Sequence, residues 1–85
     1  MKAVIFANST NEKITVYPEL ELNGKSLAVC REGLSEAEFP ATVPAVTLAP
    51  RSSEVWLIGD REKVRPEAAA MAEALHKIAT FTSER

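Results

Sequence analysis

Hydrophobic and polar positions change rhythm several times along this chain. Residues 2–7 are apolar on both parities, with Val4 and Phe6 on one and Ala3, Ile5 and Ala7 on the other. Such a run predicts a first strand covered, at least partly, on both faces. Turn formers fill residues 8–12. Residues 13–22 then alternate: Ile14, Val16, Leu20 and Leu22 share one parity, and Thr15, Tyr17, Glu19 and Glu21 share the other. That is the pattern of a half-buried strand with one wet face. Pro18 cannot donate a ladder hydrogen bond, so a bulge or an edge position is expected there.

Asn23-Gly24 predicts a type I′ turn, because both central residues of that turn need positive φ. A two-residue loop pairs Leu22 with Lys25, Leu20 with Leu27, Pro18 with Val29 and Tyr17 with Cys30. Val16, Leu20, Leu22, Leu27 and Val29 then share one face, and a slip by one residue scatters them. Pairing Phe6 with Ile14 and Val4 with Val16 adds further apolar residues to that face. A three-stranded antiparallel meander follows.

Residues 31–40 break the pattern. Ser35 and Glu38 have capping-box spacing, but Phe39-Pro40 leaves room for one helical turn at most, so the stretch reads as a surface excursion. Residues 43–48 read as a fourth strand, with Pro44 favouring an edge. Pro50-Arg51-Ser52-Ser53 reads as a turn. Val55-Trp56-Leu57-Ile58, ended by Gly59-Asp60, reads as a buried or central strand. The period then becomes helical. Pro66 suits the first helical position and Glu67 the first turn. Ala68, Met71, Ala72, Leu75, Ile78, Ala79 and Phe81 form one stripe, with Glu73 and Lys77 at i,i+4 outside it. An alanine-rich stripe lets a helix approach a sheet closely. The expected fold is α+β: a small antiparallel sheet of about four to five strands, starting as a meander, with one C-terminal helix packed on one face. The other face is expected to be partly open.

Composition narrows the class. Eighty-five residues leave no room for a second core, so residues 1–85 form a single domain. An apolar fraction of 46% with 26% charged residues excludes a disordered chain. Ten basic residues against twelve acidic ones, a net charge of −2, argue against nucleic-acid binding. The apolar run from Ala3 to Ala7 is shorter than the roughly 7–15 residues of a secretory leader. No stretch approaches the roughly 20 apolar residues of a membrane span. Cys30 is the only cysteine and permits no internal disulfide. A cytoplasmic protein is expected. Asn8-Ser9-Thr10 matches the glycosylation sequon but reads as a turn in a chain without a secretory signal.

Candidate chemistry is sparse. The chain has one histidine, His76, one aspartate, Asp60, and Cys30. No Gly-x-Ser-x-Gly elbow supports a triad. His76 falls on the polar side of the helix. Cys30 reads as a small packing residue or, facing Tyr17, as an exposed thiol. A structural zinc site needs about four Cys or His ligands, and no calcium loop is present. Gly24-Lys25-Ser26 ends like a phosphate-binding loop, but Glu19 stands where its first glycine belongs. No catalytic residue, cofactor or metal is therefore expected, and an enzyme with a site assembled across a dimer ranks third among the readings.

Charge and aromatic residues carry what remains. Arg61, Lys63 and Arg65 form a basic cluster ahead of the expected helix, interrupted by Asp60 and Glu62. It reads as a solvated connection, or as a contact for an acidic partner or a phosphate backbone. Glu19, Glu21, Glu32, Glu36 and Glu38 form the opposite pole. They serve solubility or dock onto a basic protein surface. Trp56 is expected in the core, and Phe39 is an exposed anchor or a satellite of the core. The expected partner-binding residues are Glu32, Glu36, Glu38, Phe39, Glu19, Glu21 and Tyr17.

The leading expectation is a non-enzymatic protein-binding module that regulates or inhibits a larger protein with a basic surface. In size and lack of a polar constellation the chain resembles small phage-encoded inhibitors of host systems, such as anti-CRISPR proteins; the likeness is one of class and has no motif behind it. The alternative is a small structural or accessory subunit that self-associates through a sheet edge, as a homodimer, at the Pro44 strand or the strand over 55–58.

Overall fold

Val55-Trp56-Leu57-Ile58 forms the middle of the molecule. The structure is a computed structural model that describes residues 1–32 and 34–83, the side chains of 77–83 excepted. The elements run β1 (Lys2–Ala7), β2 (Ile14–Val16), β3 (Ser26–Arg31), β4 (Val46–Leu48), β5 (Ser53–Gly59) and α1 (Arg61–Ser83). The fold is α+β. Among the described residues its five strands form two antiparallel sheets, one ordered β1-β5-β3 and one made of β2 and β4.

The expected meander does not form. Val4 lies opposite Trp56 and Phe6 opposite Glu54, while Ile14 lies opposite Leu48 and Val16 opposite Val46. Leu27, Val29 and Cys30 lie opposite Ile58, Trp56 and Val55. The Asn23-Gly24 turn itself is present. Both residues have positive φ, 50° and 81°, and the Lys25 N–H donates to the Leu22 carbonyl at 2.9 Å. No ladder continues from it, because Glu38 occupies the outer edge of β3. The Val29 and Glu38 N–H groups each donate to the other's carbonyl, at 2.8 and 2.9 Å.

The apolar residues nonetheless collect on the expected face. Leu27, Val29, Trp56 and Ile58 form a core with Val46 and Leu48 of β4, and Val4, Phe6, Leu20, Leu22 and Val43 pack against it. Val16, expected on this face, is partly exposed and lies outside that core. This face is therefore covered, where a partly open one was expected. The second core lies under the helix: Ala28, Cys30, Val55, Leu57, Val64, Ala68 and Leu75. The helix lies over β3 and β5. It leaves the same face of β1 bare, so Ala3, Ile5 and Ala7 are exposed where coverage on both faces was expected.

The helix begins at Arg61, and Pro66 lies inside it. Asp60 occupies the N-cap position, and its carbonyl accepts the Lys63 and Val64 N–H groups at 2.9 Å each. Pro66 removes only the bond that the Glu62 carbonyl would accept, and Glu62 is exposed to water. Ala68, Ala72 and Leu75 are buried and Met71 is half-buried, as the stripe predicts. Ile78, Ala79, Phe81 and Lys77 lie outside the residues whose side chains are described.

Two buried polar groups fix the frame. Glu54 is 2% exposed. Arg31 Nε donates to its Oε1 at 2.8 Å, and Trp56 Nε1 donates to its Oε2 at 2.6 Å. Arg31 also donates through Nη1 to Glu38 Oε1 at 2.9 Å. The Trp56 ring meets Phe6 edge-on, with centroids 4.9 Å apart, a contact worth about 1 kcal/mol beyond its burial. Asn8 is the second buried group. Its Nδ2 donates to the Glu12, Leu48 and Ala49 carbonyls, and its Oδ1 accepts from Thr10. The sequon asparagine is thus a buried tie between the end of β1 and the end of β4.

Arg31→Ala strands the Glu54 carboxylate with one donor, and should lower unfolding free energy by about 3 kcal/mol in a urea titration. An exposed arginine would show less than about 0.5 kcal/mol. Gly24 has open space around it, so only its φ is at stake. Gly24→Val should lose about 1 kcal/mol or more, and Gly24→Asn markedly less, since asparagine tolerates the left-handed region.

Candidate docking surface

Two residues of the excursion after β3, Leu34 and Glu38, are bonded back to that strand. Arg31 carbonyl accepts the Leu34 N–H at 3.3 Å, and Glu38 is locked to Val29 through both backbone bonds. The Arg31 guanidinium grips the Glu38 side chain from the same strand. Phe39 follows at once. It is 50% exposed, and it follows directly on the doubly bonded Glu38 backbone, which limits the entropy a partner must remove on meeting it.

Phe39 stands between two recesses. One, of about 280 Å³, is lined by Leu22, Lys25, Ser26, Leu27, Pro40, Ala41 and Arg61 as well as Phe39. The other, of about 270 Å³, is lined by Ser35, Glu36, Ala37, Arg65 and Ala69 with Phe39. Two of the four charged residues here, Arg61 and Arg65, come from the helix. Arg61 and Arg65 are one turn apart and have no ion pair among the described residues. Cations near a helix N-terminus oppose its dipole, so helix stability does not account for them. Lys25 is engaged with Asp60, Nζ to Oδ1 at 2.7 Å. That hydrogen bond, aided by the Lys25 charge, holds the Asp60 carboxyl below the usual carboxylate range.

The expected partner-binding residues are dispersed. Glu36 and Phe39 share a recess, and Glu36 and Glu38 share an adjoining one beside Leu34. Glu38 is already paired with Arg31. Glu32 accepts from Ser53 Oγ at 2.6 Å and lines a different recess with Asn8 and Arg51. Tyr17, Glu19 and Glu21 are exposed on the stretch between β2 and the Asn23-Gly24 turn and line none of these recesses. Arg61 and Arg65, read from the sequence as part of a connection, are the residues that the Phe39 surface adds. Asp60 was the available signal: an N-cap residue there puts both arginines on one helical face.

The sparse titratable groups do not converge. Asp60 precedes the helix and His76 lies sixteen residues on, about 24 Å along its axis. Cys30 is fully buried in the helix-side core, its Sγ 3.7 Å from the Ala68 carbonyl. Burial pushes the thiol up, and the Glu54 charge adds to the effect. Among the described residues, no three His, Cys, Asp or Glu side chains gather where they could hold a metal ion. No helix there is long and apolar enough to cross a membrane. Cys30 should resist thiol reagents in the native state and react fully once unfolded. Cys30→Ala should lose on the order of 1 kcal/mol; rapid native labelling would contradict the burial.

The chain matches no family model, no curated protein and no solved structure.

Proposed function

We propose that this protein is a non-enzymatic module that binds a larger protein and regulates or inhibits it. The observation that carries the reading is Phe39, a half-exposed aromatic ring next to the bonded Glu38 and between two recesses. Interface anchors are large rigid side chains that enter or border pockets. The arginines beside it have no ion pair among the described residues and suit a contact with another protein's charged groups. Glu36 lies in the same recess as Arg65, so the rim carries both signs. Glu19 and Glu21 add exposed carboxylates on a separate stretch, suited to a basic surface. In this reading the charges set encounter rate and orientation, and Phe39 supplies the affinity. Inhibitors of the small phage-encoded kind work through surface in the same way; the likeness is one of size and class.

The test is capture by the immobilised full chain from a native lysate, with mass spectrometry, using wild type and Phe39→Ala side by side. One larger protein should be retained, and Phe39→Ala should weaken it more than tenfold, about 2 kcal/mol or more. Thermal unfolding should barely change, because the ring is half in water. Arg61→Gln with Arg65→Gln should slow association and flatten its salt dependence while dissociation stays near wild type. Equal retention by wild type and Phe39→Ala overturns the reading.

A further inference from the structure

The outer edge of β1 is an unprotected strand edge, and its chemistry is symmetric about Ile5. The Asn8 N–H donates to the Ser52 carbonyl at 2.9 Å, in line with the β1–β5 register. Bonds in an antiparallel ladder alternate. Residues 2, 4, 6 and 8 therefore aim their backbone groups at β5, and Ala3, Ile5 and Ala7 aim theirs outward. The same alternation carried across β5 turns the Val29 groups outward on β3, where Glu38 takes them up, which checks the assignment. Among the described residues nothing takes up the groups of Ala3, Ile5 and Ala7: β1 is terminal in its sheet. Native edges are commonly guarded by proline, a bulge, a central charge or a covering element. Here the one charge, Lys2, sits at the very end.

We propose that β1 pairs antiparallel with β1 of a second copy, with Ile5 opposite Ile5 on the two-fold axis. In this register Ala3 faces the partner's Ala7, and the three outward residues of each strand exchange six backbone hydrogen bonds. The side chains agree. Ile5 is 70% exposed while its neighbour Val55 is 7% exposed; a second copy shelters Ile5 with its own twin. On the other face Val4 meets the partner's Phe6, continuing the core around Trp56 across the junction. The two Lys2 side chains fall at opposite ends of the pair, where a parallel pairing would bring them together. Between Lys2 and Asn8 the strand carries no charged side chain, so nothing repels at the middle of the pair. The proposal is independent of the Phe39 surface, which adjoins the far edge of the sheet.

The test is sedimentation equilibrium of the full chain across micromolar concentrations. Wild type should approach twice its 9.3 kDa mass. Ile5→Lys sets like charges face to face across the axis and should raise the dissociation constant at least tenfold, with an unchanged far-ultraviolet spectrum. Ala3→Lys combined with Ala7→Glu places opposite charges across the same junction and should restore or tighten dimerisation. Ile5→Cys, oxidised with glutathione disulfide, should give a covalent dimer, and Tyr17→Cys, at a position 78% exposed, should not. A wild-type monomer throughout, or a dimer indifferent to Ile5→Lys, overturns the proposal. So does a chain that stays monomeric until a different protein occupies the edge.

Discussion

Glu54 is a carboxylate in the interior, and the interior holds it only while β3 and β5 are in one register. A charge taken out of water costs several kcal/mol unless it is paired and fully hydrogen-bonded. Arg31 and Trp56 each give one donor to one oxygen. Arg31 lies opposite Glu54, and a slip of one residue would put Cys30 or Glu32 there. That register also decides the faces. Ala28 and Cys30 turn towards the helix, and Leu27 and Val29 towards the smaller sheet. The carboxylate orients Trp56 as well, and that ring packs against Phe6 in an edge-type contact. One buried group therefore ties together all three strands of the main sheet, and the helix and the β2–β4 pair cover the two faces so made.

Local signals were legible wherever the cause was local. The positive φ angles of Asn23-Gly24, the burial of β5 on both faces and the apolar stripe of the helix follow from neighbours in sequence. The same holds for the sequon asparagine, whose reading as a turn residue fits its bonds to Thr10 and Glu12. The helix start was misplaced because Pro66 is a strong N1 signal. Asp60 caps earlier, and proline in the second turn removes only one backbone bond. The buried role of Glu54 was not legible. A glutamate just ahead of an apolar run reads as a strand boundary, and only the fold brings Arg31 across from it.

The meander shows a different limit. Alternation places Leu20 and Leu22 inward and Tyr17, Glu19 and Glu21 outward, and the structure keeps that division although 17–22 joins no ladder. Alternation specifies a face; it does not name the strand that will pair. Pairing is decided by what else competes for the edge. On β3 the competitor is Glu38, which brings two backbone bonds and an ion pair to Arg31, while the 17–22 stretch has Pro18 and, among the described residues, no ion-pair partner for its acidic side chains. The candidate surface was partly hidden for the same reason. Phe39 could be singled out as an exposed anchor, but its arginine neighbours depend on how the helix start meets a segment more than twenty residues earlier.

The two edges of the main sheet are finished in opposite ways. The β3 edge is closed by Glu38, and that closure fixes Phe39 beside it. The β1 edge is left open and apolar. A fold that guarded both edges would need a charge or proline in β1, and one that guarded neither would leave Phe39 on a loose loop. Pairing at β1 gives the open edge a use without disturbing the closed one. It yields a six-stranded sheet with a Phe39 surface at each end, roughly 30–35 Å apart at ordinary strand spacing. Two such anchors on one rigid body act with a high effective concentration on any target that repeats its site at that distance. A monomeric target would gain nothing from the pairing, so the repeat of the target, rather than the strength of either anchor, decides whether the dimer binds more tightly than one chain.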